Sequence, residues 1–313
     1  MLKELGITSV THDLPFRLNH VNCFMAEGPD GWKVIDTGLH RQDTVDLWER
    51  MLSGKSVTDI IITHYHPDHF GYAGGLQHKT GARVSMTQTD ADEAKQVWKK
   101  DFIEPFHTYY KWAGLPEKLT DQIIDNTKAF VDAVTPYPQI DHYLKEGERI
   151  QFGKYDYEVI FTPGHSNGLV CFYNKDKGVL LSTDHILPKI TPNISYWFVG
   201  DLNPLGTYLQ SLEKVKKLQA DVVIPSHGKP FYHANERINE IIAHHDERLN
   251  ETLHILNGKK TAYEVCRELF QRELTVHEMR FAMGETIAHL EYLKINGDCK
   301  RTTVDNTWLY YTS

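Results

Sequence analysis

The chain has 313 residues, 41% of them hydrophobic and 24% charged, with a formal net charge of −8 and a pI near 6.1. These values exclude the disordered, fibrous and collagen-like classes and fit one large catalytic domain of roughly 230 to 250 residues with a small addition. The acidic balance works against electrostatic capture of nucleic acid, and nowhere do 18 or more consecutive apolar residues offer a membrane span.

The N-terminal segment, Met1-Leu2-Lys3-Glu4-Leu5-Gly6, carries no apolar run of signal-peptide length, so cytoplasmic residence is expected. Cys23, Cys171, Cys266 and Cys299 form neither a CxxC pair nor a disulfide framework and are expected as free thiols. Val21 to Glu27 and Trp32 to Asp36, separated by Gly28-Pro29-Asp30-Gly31, read as a hairpin. A helix is predicted at about Thr44 to Leu52. Val57 to Thr63 is rich in β-branched residues and reads as a strand covered on both faces. From Thr89 to about Val134 the apolar positions fall at helical spacing, which predicts a helical insertion. Strands resume at Arg149 to Gln151, Tyr157 to Thr162, Leu169 to Tyr173, Val179 to Thr183 and Val222 to Pro225, with a helix at Leu205 to Leu218. Helices at Thr261 to Phe270 and Val276 to Leu293, then a hairpin from Cys299 to Thr303 and Trp308 to Tyr311, give a winged-helix-like order. Strands alternating with helices after an early β section predict a layered α/β sandwich.

Four places repeat one design, an apolar strand that ends in a metal-type side chain. Ile60-Ile61-Ile62-Thr63 precedes His64, and Val159 to Gly164 precedes His165. Leu180 to Thr183 precedes Asp184, and Val222 to Ser226 precedes His227. Ligands gathered at one sheet edge can converge, because the sheet fixes their spacing. Within His64-Tyr65-His66-Pro67-Asp68-His69, the two-residue period of extended chain points His64 and His66 the same way, so they can share one cation. Pro67 suits the first position of a helix and carries Asp68 and His69 round toward a second. Gly71, Gly74 and Gly75 leave room for close backbone approach. Imidazole and carboxylate without thiolate favour zinc, with iron or manganese as alternatives.

The run Thr63 to Gly71, with Thr162-Pro163-Gly164-His165-Ser166, Ser182-Thr183-Asp184 and Ser226-His227-Gly228, resembles the metallo-β-lactamase superfamily pattern over roughly residues 15 to 245. The resemblance implies a four-layer αββα sandwich. Here it would occupy residues 1–245, with a helical insertion at about 89–140 and a winged-helix-like unit at 246–313. It also implies that His64, His66 and His165 hold one metal, that Asp68, His69 and His227 hold the second, and that Asp184 bridges both. A hydroxide bridging two cations is available near neutral pH, because metal binding lowers the pKa of water from about 16 toward about 7. Hydrolysis of a small ester, lactone or thioester is therefore expected, with Asp68 orienting the nucleophile and Asp184 holding the metal spacing.

Asp36, in Val34-Ile35-Asp36-Thr37-Gly38, resembles the family's Asp-Thr-Gly segment, which supports the metal loop from behind the ligands. His185 would point to the opposite face from Asp184 and is expected to be packed. Two aromatic clusters, Tyr109-Tyr110 with Trp112 and Tyr196-Trp197-Phe198, are candidates to wall a substrate pocket, with Tyr109, Tyr196 and Trp197 the named choices. Two further activities belong to the same resemblance. Endoribonuclease activity would use the terminal unit, but from Glu251 to Ser313 there are 8 Lys and Arg against 9 Asp and Glu, so no basic patch is evident. Sulfur oxidation at a single iron is the other. The expected partner is a small molecule rather than nucleic acid or membrane, and the terminal unit is expected to pack or to form a homodimer.

Overall fold

Alternation of side chains along each strand sorts the fold into layers. The computed structural model describes residues 1–312. In chain order it comprises α1 (Leu2–Leu5), β1 (Ile7–Asp13), β2 (His20–Gly28), β3 (Gly31–Ile35), α2 (Gln42–Leu52), β4 (Val57–Ile61), α3 (Pro67–Phe70), α4 (Ala73–Thr80) and β5 (Arg83–Met86). The insertion follows as α5 (Gln88–Val97), α6 (Lys100–Ile103), α7 (Phe106–Trp112), α8 (Glu117–Lys128) and a 3-10 turn at Asp132–Val134. The chain then forms β6 (Ile140–Tyr143), β7 (Arg149–Phe152), β8 (Tyr155–Phe161), β9 (Val170–Asn174), β10 (Val179–Thr183), α9 (Pro204–Lys216), β11 (Val222–Pro225) and β12 (Phe231–Tyr232). It closes with α10 (Ala234–Ile255), α11 (Ala262–Leu269), α12 (Val276–Asn296), β13 (Lys300–Val304) and β14 (Thr307–Tyr311).

The strands β1 to β6 form one six-stranded sheet in sequential order, and β12-β11-β10-β9-β8-β7 form a second. Phe24, Ala26, Ile35 and Ile61 of the first sheet meet Val159, Val170, Phe172, Leu181 and Ile224 of the second in a shared inner core. Their immediate neighbours, Cys23, Met25, Val34 and Ile60, face Trp48 of α2 and Leu76 of α4. On the far side Ile160, Cys171, Leu180 and Val223 face Leu205, Tyr208 and Leu212 of α9. Helix, sheet, sheet and helix layers follow from this alternation.

Four strands were absent from the sequence reading, and one of them, β12, is a two-residue strand antiparallel to β11. β1, β5 and β6 are short or carry polar residues on one face, and β6 is largely exposed. They acquire order by pairing, β1 antiparallel to β2, and β5 and β6 each parallel to the strand before it in the sheet. The insertion is helical as expected and joins β5 to β6.

The terminal elements share the core of the second sheet. A single continuous helix, α10, runs across residues 245 and 246, and Ile238, Val265, Ile287 and Tyr310 belong to the same buried cluster as Leu180 and Tyr208. Thr261 with Glu264, and Thr275 with Glu278, form capping boxes that fix the starts of α11 and α12. α12 packs on α8, α9, α10 and α11. Among the described residues no helix is long and apolar enough to cross a membrane.

Candidate metal centre

His64 and His66 leave the end of β4 in extended chain, and His66 then stands as the N-cap of α3, whose first residue is Pro67. That short helix turns Asp68 and His69 to the same point. His165 follows β8, Asp184 follows β10, and His227 follows β11, so both sheets contribute at one edge.

The side chains converge closely. His64 Nε2 lies 3.1 Å from His66 Nδ1, which is 2.9 Å from His165 Nε2. Asp184 Oδ2 lies 3.2 Å from His227 Nε2, 3.4 Å from His69 Nε2 and 3.5 Å from His165 Nε2. Asp68 Oδ2 is 3.5 Å from His227 Nε2 and 3.6 Å from His69 Nε2. Three overlapping groups have donor atoms close enough to hold a cation: His64, His66 and His165; His64, His69 and Asp184; and Asp68, His69 and His227. No cysteine belongs to any of them.

Partners behind the rings aim these donors. Asp36 Oδ2 accepts from His69 Nδ1 at 2.8 Å and from the Thr63 hydroxyl at 2.9 Å, while Oδ1 accepts from the Thr63 backbone N–H at 2.9 Å. The Thr63 oxygen, 3.0 Å from His64 Nδ1, is left to accept from that ring. One buried carboxylate thus sets the tautomer of His69 directly and of His64 through a hydroxyl, leaving both Nε2 lone pairs directed inward. Asp36 has φ 59°, a conformation uncommon outside glycine. His165 Nδ1 faces the Asn193 carbonyl at 2.8 Å and His227 Nδ1 faces the His20 carbonyl at 2.6 Å, with the same consequence.

Asp36→Asn should weaken metal affinity about 10- to 100-fold, the usual effect of losing such a partner. An amide cannot accept from all three donors, and its NH2 must face at least one of them. Titration of the metal-free protein measures this, and an unchanged affinity would remove Asp36 from the centre.

Burial drives the pKa values of His64 and His66 well below normal, helped by the neighbouring imidazoles, and lowers that of His165. For His69 and His227 burial acts in the same direction, but the carboxylates of Asp184 and Asp68 outweigh it and raise both. Burial would raise Asp184, yet His227 and His69 pull it well below the usual carboxylate range.

This donor set fits divalent cations. His69 Nε2 and Asp184 Oδ1 are buried without a hydrogen-bond partner among the described residues, and a buried polar atom left in that state is costly. Nitrogen and carboxylate donors without sulfur suit zinc, iron or manganese.

Asp90 was not singled out in the sequence and is fully buried at the start of α5. Its Oδ2 accepts from Tyr65 N at 3.0 Å and Ser166 Oγ at 2.8 Å, and its Oδ1 from Gly168 N at 2.5 Å. It ties the His64–His66 segment to the His165 loop. Burial and the nearby Glu93 raise its carboxyl to about 7 against those donors. The only local signal was an N-cap pattern, Thr87 accepting from Asp90 N.

The cluster forms the floor of a cavity of about 540 Å³ whose lining includes His66, Asp68, His165 and Asp184. Trp197 lines it; Tyr109 and Tyr196 do not. Tyr109 stacks on Phe198 with ring centroids 5.2 Å apart, and Tyr196 is buried with its ring edge toward Phe198. Tyr110, one residue from Tyr109, does reach the cavity. His185 is buried against Tyr208, where burial lowers it to about 3. The sequence also missed that α12 supplies His277, Glu278, Arg280 and Phe281 to the wall.

Comparison with known proteins finds a match to the model of the metallo-beta-lactamase superfamily at residues 17–227 and to the metallo-beta-lactamase-like C-terminal domain at residues 249–313. The chain is similar to the probable metallo-hydrolase YqjP of Bacillus subtilis, 24% identical over 90% of this chain and 89% of that one. A solved metallo-beta-lactamase family protein from Thermus thermophilus superposes with TM-score 0.87 at 31% identity, covering 98% of this chain and 99% of the other. A beta-lactamase domain protein from Burkholderia ambifaria gives 0.86 at 31% identity, over 98% of this chain and 92% of its own.

Proposed function

The chain belongs to the metallo-β-lactamase superfamily of hydrolases, and from that premise we propose that it is a two-metal, zinc-dependent hydrolase of a small ester, lactone or thioester. The observation that carries this reading is the donor cluster at the floor of a cavity, with Asp184 Oδ2 within 3.5 Å of histidines from both sides. In this reading His64, His66 and His165 hold one cation, Asp68, His69 and His227 hold the other, and Asp184 serves both.

Divalent cations at such a site acidify water and stabilise the oxyanion of an acyl-transfer reaction. The chain's own residues supply the rest. Asp68, the most exposed carboxylate of the cluster, lies at the cavity floor, where its oxygens can take and hold the proton of the attacking water. Asp36, Asn193 and the His20 carbonyl keep the imidazoles in their donor orientation. Phe102, Phe106 and Phe130 from the insertion, with Phe281 from α12, exclude bulk water from the floor. Residues 246–313, of winged-helix-like order, complete the cavity of the 1–245 catalytic unit in this reading, and the partner is a small molecule.

Elemental analysis of the purified chain is expected to give close to two zinc ions. A panel of esters, lactones, thioesters and labelled single-stranded RNA should then show metal-dependent turnover in the first three classes. One iron per chain would overturn the two-metal hydrolase. Metal-dependent cleavage of RNA with no turnover of any acyl substrate would overturn the substrate class.

A further inference from the structure

The cavity above the cluster is apolar on most of its wall, with Phe16, Trp98, Phe102, Ile124, Phe130 and Phe281 among its lining residues. Its volume is in the range of about 300–1,000 Å³ typical of small-molecule sites. One cation is set into that wall. Arg280, on α12, lines the cavity and is only partly accessible. Its guanidinium stacks at 4.6 Å over the ring of Trp197 and at 5.3 Å over Phe281, and Tyr110 lines the same cavity. Arg280 shares that cavity with Tyr65, with His66 of the metal-binding floor and with His277.

The counter-ion is what is missing. Among the described residues no carboxylate lies within 4.0 Å of Arg280, whereas the other cavity-lining arginine, Arg17, has one. Arg17 lies 3.7 Å from Glu278, which Arg272 outside the cavity also meets at 2.8 Å, while the Glu93 carboxylate on the same wall accepts from the Asn167 amide. A guanidinium withdrawn from water is costly unless an anion meets it, and stacking on an aromatic ring recovers only part of that cost. Its planar fork of donors matches a carboxylate in bidentate geometry. Were Arg280 merely structural, its charge would be expected to face a protein carboxylate, as Arg301 faces Glu291.

We propose that Arg280 is the anion anchor of this cavity: it pairs with a carboxylate carried by the substrate, whose bulky apolar part fills the aromatic wall while its ester or thioester lies over the His66–Asp184 floor. The preferred substrate class is thus an acyl ester or thioester that bears a carboxylate and a large apolar group. This rests on the hydrolytic reading of the floor, but the anchor can be tested apart from it. Arg280 acts here as a specificity-determining residue supplied by the C-terminal part of the chain.

The test uses the full metal-loaded chain and aryl monoesters of linear dicarboxylic acids from succinate to suberate, each against its methyl-terminated isostere. For at least one length the carboxylate member should be preferred at least about tenfold in kcat/KM. In Arg280→Met that preference should fall about tenfold or more, with Arg280→Lys intermediate because it keeps the charge and loses the fork. Binding of 4-phenylbutyrate and of the uncharged 4-phenylbutanamide, followed by tryptophan fluorescence, gives a readout that needs no turnover. The acid should bind the wild type at least about tenfold more tightly than it binds Arg280→Met, and the amide should show no such difference. Thermal unfolding of Arg280→Met should be unchanged or shifted upward, since an unmatched, partly desolvated charge is removed. If esters are turned over with the same carboxylate preference in wild type and Arg280→Met, the anchor is overturned while the hydrolase stands. A large fall in Tm with equal loss on both members of each pair also overturns it and makes Arg280 structural. If no ester is turned over but 4-phenylbutyrate binding depends on Arg280, the anchor stands and the hydrolytic reading falls.

Discussion

Asp184→Ala should abolish hydrolysis, with a loss of about 10³-fold or more, and should bring bound metal below two ions per chain. The side chain is buried, and its Oδ2 is the one oxygen that lies between His165 on one side and His69 and His227 on the other. Removing it leaves inward-facing imidazoles without the negative charge that offsets the cations. Losing one electrostatic stabiliser in an acyl-transfer site already costs about 10² to 10³, and in the proposed two-metal reading the residue that would hold both cations goes with it. Asp184→Asn keeps the volume but not the charge and should fall between wild type and alanine in metal content. Elemental analysis, turnover and unfolding on the same samples check this. Two ions retained, with activity within tenfold of wild type, would refute the role.

The metal-free protein adds a pH dependence whose sign follows from the same contacts. Asp184 is depressed in the folded state, so its contribution to stability is present above its unfolded value and is lost as pH falls through the folded one. His69 and His227 are raised, so theirs is present below the unfolded histidine value and is lost as pH rises through the folded one. The stabilising window lies between these limits, and Asp184→Ala should flatten it.

The convergence of strand ends was legible because it is a local property repeated four times: an apolar run long enough to be a buried strand, then one polar residue of ligand type. The layers were legible for a related reason, since Cys23 and Met25 alternate with Phe24 and Ala26 in hydrophobicity that only two covered faces explain. What sequence could not supply was the facing of residues outside regular structure. Tyr196 and Trp197 are adjacent, yet one enters the core and the other the cavity, because the segment between α9 and the preceding strand follows no period. Arg280 shows the same limit at longer range. It is one charge in a segment of balanced charge, and only the packing of α12 on α8 and α9 brings it to a site assembled far earlier in the chain. β6 was missed because its strand identity comes from its partner β5 rather than from its own residues.

Gly74→Ala should be the most damaging of the conservative changes, costing about 3 kcal/mol or more and lowering activity as well as stability. Gly74 is buried in the first turn of α4, and a Cβ there would stand 1.9 Å from the Pro136 carbonyl oxygen and 2.7 Å from its carbon. Those are backbone atoms, which cannot turn away as the end of a side chain can, so α4 or the 132–137 segment must shift. A Cβ at Gly71, three residues earlier, would stand 2.4 to 2.8 Å from the carbonyl oxygens of Pro67, Ala133 and Gly38. α3, which carries Asp68 and His69, is therefore clamped between the same segment and the Asp36 loop, and displacement of α4 is transmitted to two donors of the metal cluster. Gly258→Ala is the matched control, because a Cβ at that position meets nothing within 4 Å, and its stability should stay within about 0.5 kcal/mol of wild type. Denaturant unfolding and metal titration on both variants test the coupling. If Gly74→Ala lost stability but kept wild-type metal affinity, the clamp would serve the fold alone and the donors would be positioned by Asp36 and the strand ends without it.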